Sequence, residues 1–164
     1  MSEPSGRVFD ARESGFGRYF DELEVGDLYR HWPGKTLTEA DNHLFCLLTM
    51  AASPIHLDRE YAAAHVAGGE NLIVGTYVYS LLLGMSVPDI SGKAVANLGV
   101  RELRHVAPMV AGDTLYGESL VTAKRPSASR AGEGIIEVET TGRNQRGEIV
   151  CTYTRSVLLP MRSA

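Results

Sequence analysis

The run LIVGTYVYSLLLGM, residues 72–85, is the strongest constraint on what this chain can fold into. It carries no charge and is apolar on every side at helical spacing, so it has to be buried as a helix. At 14 residues it is shorter than the ~18 needed to cross a bilayer, so it reads as a core helix. Gly75 stands at its start. The free N–H groups of a helix N-terminus point at whatever lies beyond, and glycine lets a ligand come close. Pro88, Asp89 and Gly92 form the exit.

The chain after this run changes character. Residues 95–106, 115–123, 134–141 and 149–159 are β-rich, separated by the turn signals Gly112-Asp113, 126–132 and Gln145-Arg146-Gly147. Alternation is clear in Ile136-Glu137-Val138-Glu139-Thr140 and Val150-Cys151-Thr152-Tyr153-Thr154, which predicts an antiparallel sheet with one solvated face. One apolar helix and such a sheet form an α+β domain in which the sheet wraps the helix. No internal repeat or second domain is visible. Residues 1–15, rich in Ser, Gly and charge, read as a mobile arm before a single domain over 16–164.

The part before the helix holds the chemistry. Thr38-x-x-Asp41 is a capping box, and the following apolar periodicity predicts a helix over 38–52 with Leu44, Leu47, Leu48 and Ala51 facing a core. A short strand is expected at 28–32. Pro54 breaks the first helix, His56 follows the break, and Asp58 caps a second short helix over 59–67, ended by Gly68-Gly69. A histidine after a proline break is well placed for acid–base work, because imidazole titrates near neutral pH. The Asp41-Asn42-His43 trio reads first as a capped, solvated helix end. Arg101, Arg104 and His105 lie in an otherwise apolar strand. Simple alternation sets Arg101 and His105 on one face and Arg104 on the other.

Composition excludes some classes. The net charge is −4 and no Lys/Arg block occurs, which argues against nucleic acid. The polar, acid-bearing N-terminus does not read as a signal peptide. Cys46 and Cys151 belong to no ligand cluster, so two reduced, buried thiols in a cytoplasmic protein are expected, with no metal and no membrane association.

Four motifs together resemble the MaoC-like (R)-specific enoyl-CoA hydratases, which have a hot-dog fold. They are Pro54-Ile55-His56-x-Asp58 with Tyr61-Ala62-Ala63, Leu72-Ile73-Val74-Gly75, Asn97-Leu98-Gly99, and 108–115 (PMVAGDTL). The wording of TEADNHLF, ANLG and AGDTLY is similar to the branch that hydrates itaconyl- or mesaconyl-CoA. The resemblance implies a hydro-lyase that adds water to, or removes it from, a short branched or dicarboxylic enoyl-CoA. It implies His56 as an acid–base residue and an oxyanion-holding N–H at Gly75, with CoA entering as part of the substrate and no separate cofactor. It also implies a homodimer or a multiple of one.

The family's Asp-x-Asn-Pro-hydrophobic-His pattern maps its Asp onto Ala51 and its Asn onto Ser53. The histidine common before the glycine is Val74 here. The serine that steadies the Asp maps near Leu83, with Ser80 three residues earlier. An alanine cannot activate water. His43, two turns from Ala51 and about 80° around the helix, is the leading replacement. Arg101 and Arg104 are candidate clamps for a substrate carboxylate or CoA phosphate, and Tyr77 a candidate lining group. Two other functions compete: an acyl-CoA-binding hot-dog protein that has lost its base, and a hot-dog thioesterase. The thioesterase lacks a carboxylate over 75–86.

Overall fold

The computed structural model describes residues 6–10 and 15–162. Seven strands pair among the described residues: β1 (Val8–Asp10), β2 (Leu28–Arg30), β3 (Lys35–Thr36), β4 (Ala96–His105), β5 (Thr114–Pro126), β6 (Glu133–Arg143) and β7 (Ile149–Pro160). The sheet order is β1-β2-β5-β6-β7-β4, with β3 also on β5. All pairings are antiparallel except the parallel β1–β2 contact. Among the described residues four α-helices precede β4: α1 (Glu39–Thr49), α2 (Pro54–Leu57), α3 (Arg59–His65) and α4 (Gly75–Met85). A turn of π-helix, Val87–Ser91, leads out of α4. This is the α+β hot-dog arrangement expected from the sequence. None of the described helices is long and apolar enough to cross a membrane.

The sheet is shaped to receive α4. Gly117 on β5 and Gly142 on β6 are directly opposite each other. A Cβ on Gly117 would sit 2.6 Å from a Leu82 methyl, and one on Gly142 2.9 Å from the other. The glycine pair is thus the seat on which fully buried Leu82 rests. Around it pack Leu37, Ile73, Val78, Met109, Leu115, Val150, Cys151 and Tyr153. A second cluster, including Phe20, Tyr29, Ile90, Val138 and Leu159, fills the far end of the sheet.

Three expectations change. The apolar run is a helix only from Gly75; Leu72 forms a bridge to Val110, and Val74 is the N-cap. Only Val78 and Leu82 of α4 are fully buried, while Tyr77, Tyr79, Leu81, Leu83 and Met85 are half-covered. The arm expected over 1–15 is in part ordered. Residues 8–10 pair with β2, and the Arg7 guanidinium meets the Asp27 carboxylate at 2.8 Å. Residues 1–5 and 11–14 lie outside the described residues.

The third change concerns α1. Its capping box forms as the sequence predicts, with Thr38 Oγ1 accepting from Asp41 N–H and Asp41 accepting from Thr38 N–H. Its apolar stripe, however, does not face the core of this chain. Leu44, Leu47 and Leu48 are 57%, 76% and 75% exposed, while Asn42 and Cys46 are the buried positions. The physical reason is that Asn42 makes three hydrogen bonds inward, which fix the roll of the helix and turn the leucines out.

Candidate active site

Pro54 at the first position of α2 presets the local backbone, and His56 follows within a single turn whose end is closed by Asp58 N–H donating to the Pro54 carbonyl. Asp58 then caps α3, accepting from Tyr61 N–H at 3.0 Å. It is therefore a structural carboxylate. The extended segment before α4 runs alongside this turn: Leu72 N–H donates to the Ile55 carbonyl, and Ile73 N–H to the Met109 carbonyl.

This path puts the Leu72 carbonyl 2.8 Å from His56 Nδ1. A carbonyl oxygen only accepts, so Nδ1 carries the proton, and Nε2 bears the lone pair. Among the described residues Nε2 has no hydrogen-bond partner. His56 is half-buried and lines a cavity of about 340 Å³ together with Gly75, Val78, His105, Met109 and Val150. The chemistry available is that of an imidazole whose Nε2 is left free to exchange a proton.

Asn42 holds this wall together. Its Nδ2 donates to the carbonyls of His56 (3.1 Å) and Leu72 (3.2 Å), and its Oδ1 accepts from Val74 N–H (2.9 Å). One side chain, 2% exposed, thus joins α1, the His56 turn and the start of α4. The sequence reading placed it on a solvated helix end and so missed it. The signal was an Asn inside a helix, where it competes poorly unless its amide finds partners.

Past Val74, whose carbonyl takes the Tyr77 N–H, the Gly75 and Thr76 N–H groups have no intrahelical acceptor and carry the positive end of the helix dipole. Gly75 opens that turn to a ligand. A Cβ there would lie 3.0 Å from His105 Cε1 and Nδ1, so the imidazole of His105 rests directly on the glycine.

The sequence reading put His105 on the same face as Arg101, and the structure corrects this. Arg101 pairs with Thr154 and Arg104 with Thr152, so two residues of β4 intervene against one of β7. The extra residue is accommodated by Glu102 at φ 54°, a left-handed conformation uncommon for a residue with a Cβ. Arg101 and Arg104 therefore share the outer face, and His105, opposite fully buried Cys151, turns to the inner face with α4.

The other candidate residues lie elsewhere. Arg101 forms an ion pair with Glu137 at 2.8 Å on the outer face. Arg104 lines a shallow depression there with Glu102 and Glu139. Neither lines the His56 cavity; both are charges of the outer face. His43 is exposed and also outside the cavity, because Asn42 takes the inward position of that turn. Tyr77 packs on Phe45, ring centroids 5.1 Å apart, and burial pushes its hydroxyl pKa up; it too stands outside the cavity lining. Ala51 is half-buried.

The family model for mesaconyl-CoA hydratase matches residues 6–164. The chain belongs to the mesaconyl-CoA hydratase family. It is 34% identical over 149 residues to a mesaconyl-CoA hydratase of Cereibacter sphaeroides, covering 89% of this chain and 42% of that protein. A MaoC-like dehydratase from Rhodospirillum rubrum superimposes with a TM-score of 0.77 at 28% identity, covering 90% of this chain and 100% of the other. A conserved hypothetical protein of Mycobacterium tuberculosis with a double hotdog fold superimposes at 0.76 with 25% identity, covering 89% of this chain and 45% of that one. The chain therefore spans less than half the length of the Cereibacter relative and of the double-hotdog structure.

Proposed function

We propose that this chain is a hydro-lyase that adds water to, or removes it from, a short dicarboxylic enoyl-CoA thioester of the mesaconyl-CoA kind. The observation that carries the reading is the tautomer of His56. With Nδ1–H committed to the Leu72 carbonyl, Nε2 is the basic atom, on the wall of a cavity that also contains the start of α4. His56 takes a proton from water as the oxygen attacks C3. The thioester oxygen gains negative charge as C2 becomes enolate-like, and the first-turn amides at Gly75 are the donors that hold it. The reaction moves protons and forms a C–O bond; CoA is part of the substrate.

The test is turnover. The protein is incubated with mesaconyl-, itaconyl- and crotonyl-CoA, and loss of the conjugated thioester absorbance is followed, with a separate product assay for itaconyl-CoA. Binding of these esters without turnover of any supports the alternative of an acyl-CoA-binding protein. That alternative draws on one observation: Ala51 stands at the family's acid position, and neither Asp nor Glu lines the cavity.

The assembly that fits is a homodimer. Apolar side chains of α1 (Leu44, Leu47, Leu48) and its C-cap Met50 are exposed, as are Leu98, Val100 and Leu103 on β4, the last strand of the sheet. An edge strand with unpaired N–H and C=O groups templates another strand. The double-hotdog relative has room for two units of this size in one chain, so a second copy is the matching occupant. A monomer by light scattering at micromolar concentration refutes this.

A further inference from the structure

His56 alone leaves the hydration half-described, because one group must take a proton from water and C2 must receive one. The acid expected at the position of Ala51 is missing. The cavity lining holds two ionisable side chains, His56 and His105. His105 reaches it because the bulge at Glu102 reverses the parity of β4, and its ring then fills the space a Gly75 Cβ would take, 3.0 Å from that position. The backbone after it is anchored: Val106 N–H donates to the Val150 carbonyl at 2.9 Å, and three residues further on the Met109 carbonyl accepts from Ile73 N–H at 2.8 Å. That backbone places the imidazole, in a residue that is exposed, at the helix start, where the enolate end of the substrate would sit, and His56 lines the same cavity.

Resting on the hydration reading above, we infer that His105 is the second acid–base group of the site and delivers the proton to C2. As the water oxygen bonds to C3, one water proton passes to His56 Nε2. The C2=C3 π pair moves to C2 and the thioester oxygen, held by the α4 amides. His105, entering as imidazolium, gives a proton to C2 as the enolate collapses. One water has then been added across the double bond, with His56 protonated and His105 neutral. Exchange with solvent returns both to their starting forms. In dehydration His105 removes the C2 proton, and protonated His56 gives its proton to the departing hydroxide.

The experiment compares wild type with His105→Ala on whichever of the three enoyl-CoAs the wild type turns over fastest. The expected result is a fall in kcat of roughly a hundred- to ten-thousandfold, a KM within about threefold, and partial, saturable recovery of kcat by added imidazole. Recovery by imidazole is a readout that a merely structural histidine would not give. A kcat within a fewfold of wild type overturns the inference. So does a raised KM with kcat intact, which would make His105 a holder of the substrate's second carboxylate. Loss that imidazole does not restore, in a variant with unchanged melting and circular dichroism, also overturns it. If H105A fails to fold, His105→Gln is measured by the same kcat and KM criteria. A wild type that turns over none of the esters refutes the hydration reading itself, and this inference with it, which a defect confined to H105A does not.

Discussion

Replacing Asn42 by alanine tests whether the site is built the way its geometry indicates. The side chain is 2% exposed and makes three hydrogen bonds, to the carbonyls of His56 and Leu72 and from Val74 N–H. A protein hydrogen bond contributes a net ~1 kcal/mol, and a buried donor left without a partner costs about 1–3 kcal/mol. Val74 is buried, so its N–H is the group most exposed to that penalty. Three bonds at this scale give about 3 kcal/mol, roughly a hundredfold in the folding equilibrium. In a domain of this size that lowers Tm by about 6–12 °C. The Leu72 carbonyl still accepts from His56 Nδ1, so the tautomer survives, but the turn carrying His56 is no longer tied to α1, and kcat should fall as well. Asn42→Asp separates the two effects. It keeps an acceptor for Val74 N–H but sets a carboxylate against two carbonyl oxygens, so it should misplace His56 at least as badly. Thermal unfolding followed by circular dichroism, with the enoyl-CoA assay alongside, measures both. If N42A melts within 2 °C of wild type and retains its kcat, the account of this wall is wrong; His43→Ala, on the exposed neighbour, should stay within about 0.5 kcal/mol of wild type.

Other consequences follow from the same geometry. His56→Ala should lower kcat by at least a hundredfold with little change in melting, since its loss removes the uncommitted Nε2; an active H56A enzyme contradicts the proposed base. Asp113 closes the turn after Met109. Burial raises its carboxyl pKa, but hydrogen bonds from Gln145, Val110 N–H and Arg146 outweigh this and hold it below the ordinary value. A depressed folded-state pKa gives stability that is complete above the unfolded value, near 3.9, and is lost as pH falls through the folded one. The stability gap between wild type and Asp113→Asn in urea should therefore be large at pH 7 and shrink below about pH 4; a gap that widens in acid has the wrong sign. Burial pushes the fully buried Cys151 thiol up to about 11. It should be inert to a disulfide reagent at pH 8 in native protein and react on unfolding; rapid native labelling at that residue refutes this.

Interactions within a few residues were legible in the sequence: the Thr38–Asp41 box, the Asp58 cap, the Pro54 break, and the period-2 pattern of β6 and β7. They need nothing beyond the local chain, and with the family resemblance they pointed to His56 and Gly75. What the sequence could not show depends on register between distant segments. The His31 ring bridges Asp89 and Ser119, 58 and 88 positions away, and Ser119 in turn meets Thr140. None of these residues stands out locally. Asn42 reads as a solvated helix end until α1 is rolled against the loop before α4. The leucine stripe of α1 has the periodicity of a core face, and periodicity cannot say whether the covering surface belongs to the same chain.

His105 is the sharpest case. A strand's side chains alternate strictly, so one inserted residue moves every later side chain to the other face. The sequence determined that a histidine ends β4. Only the tertiary pairing of β4 with β7, through the bulge at Glu102, decided that it faces the cavity rather than the outer face.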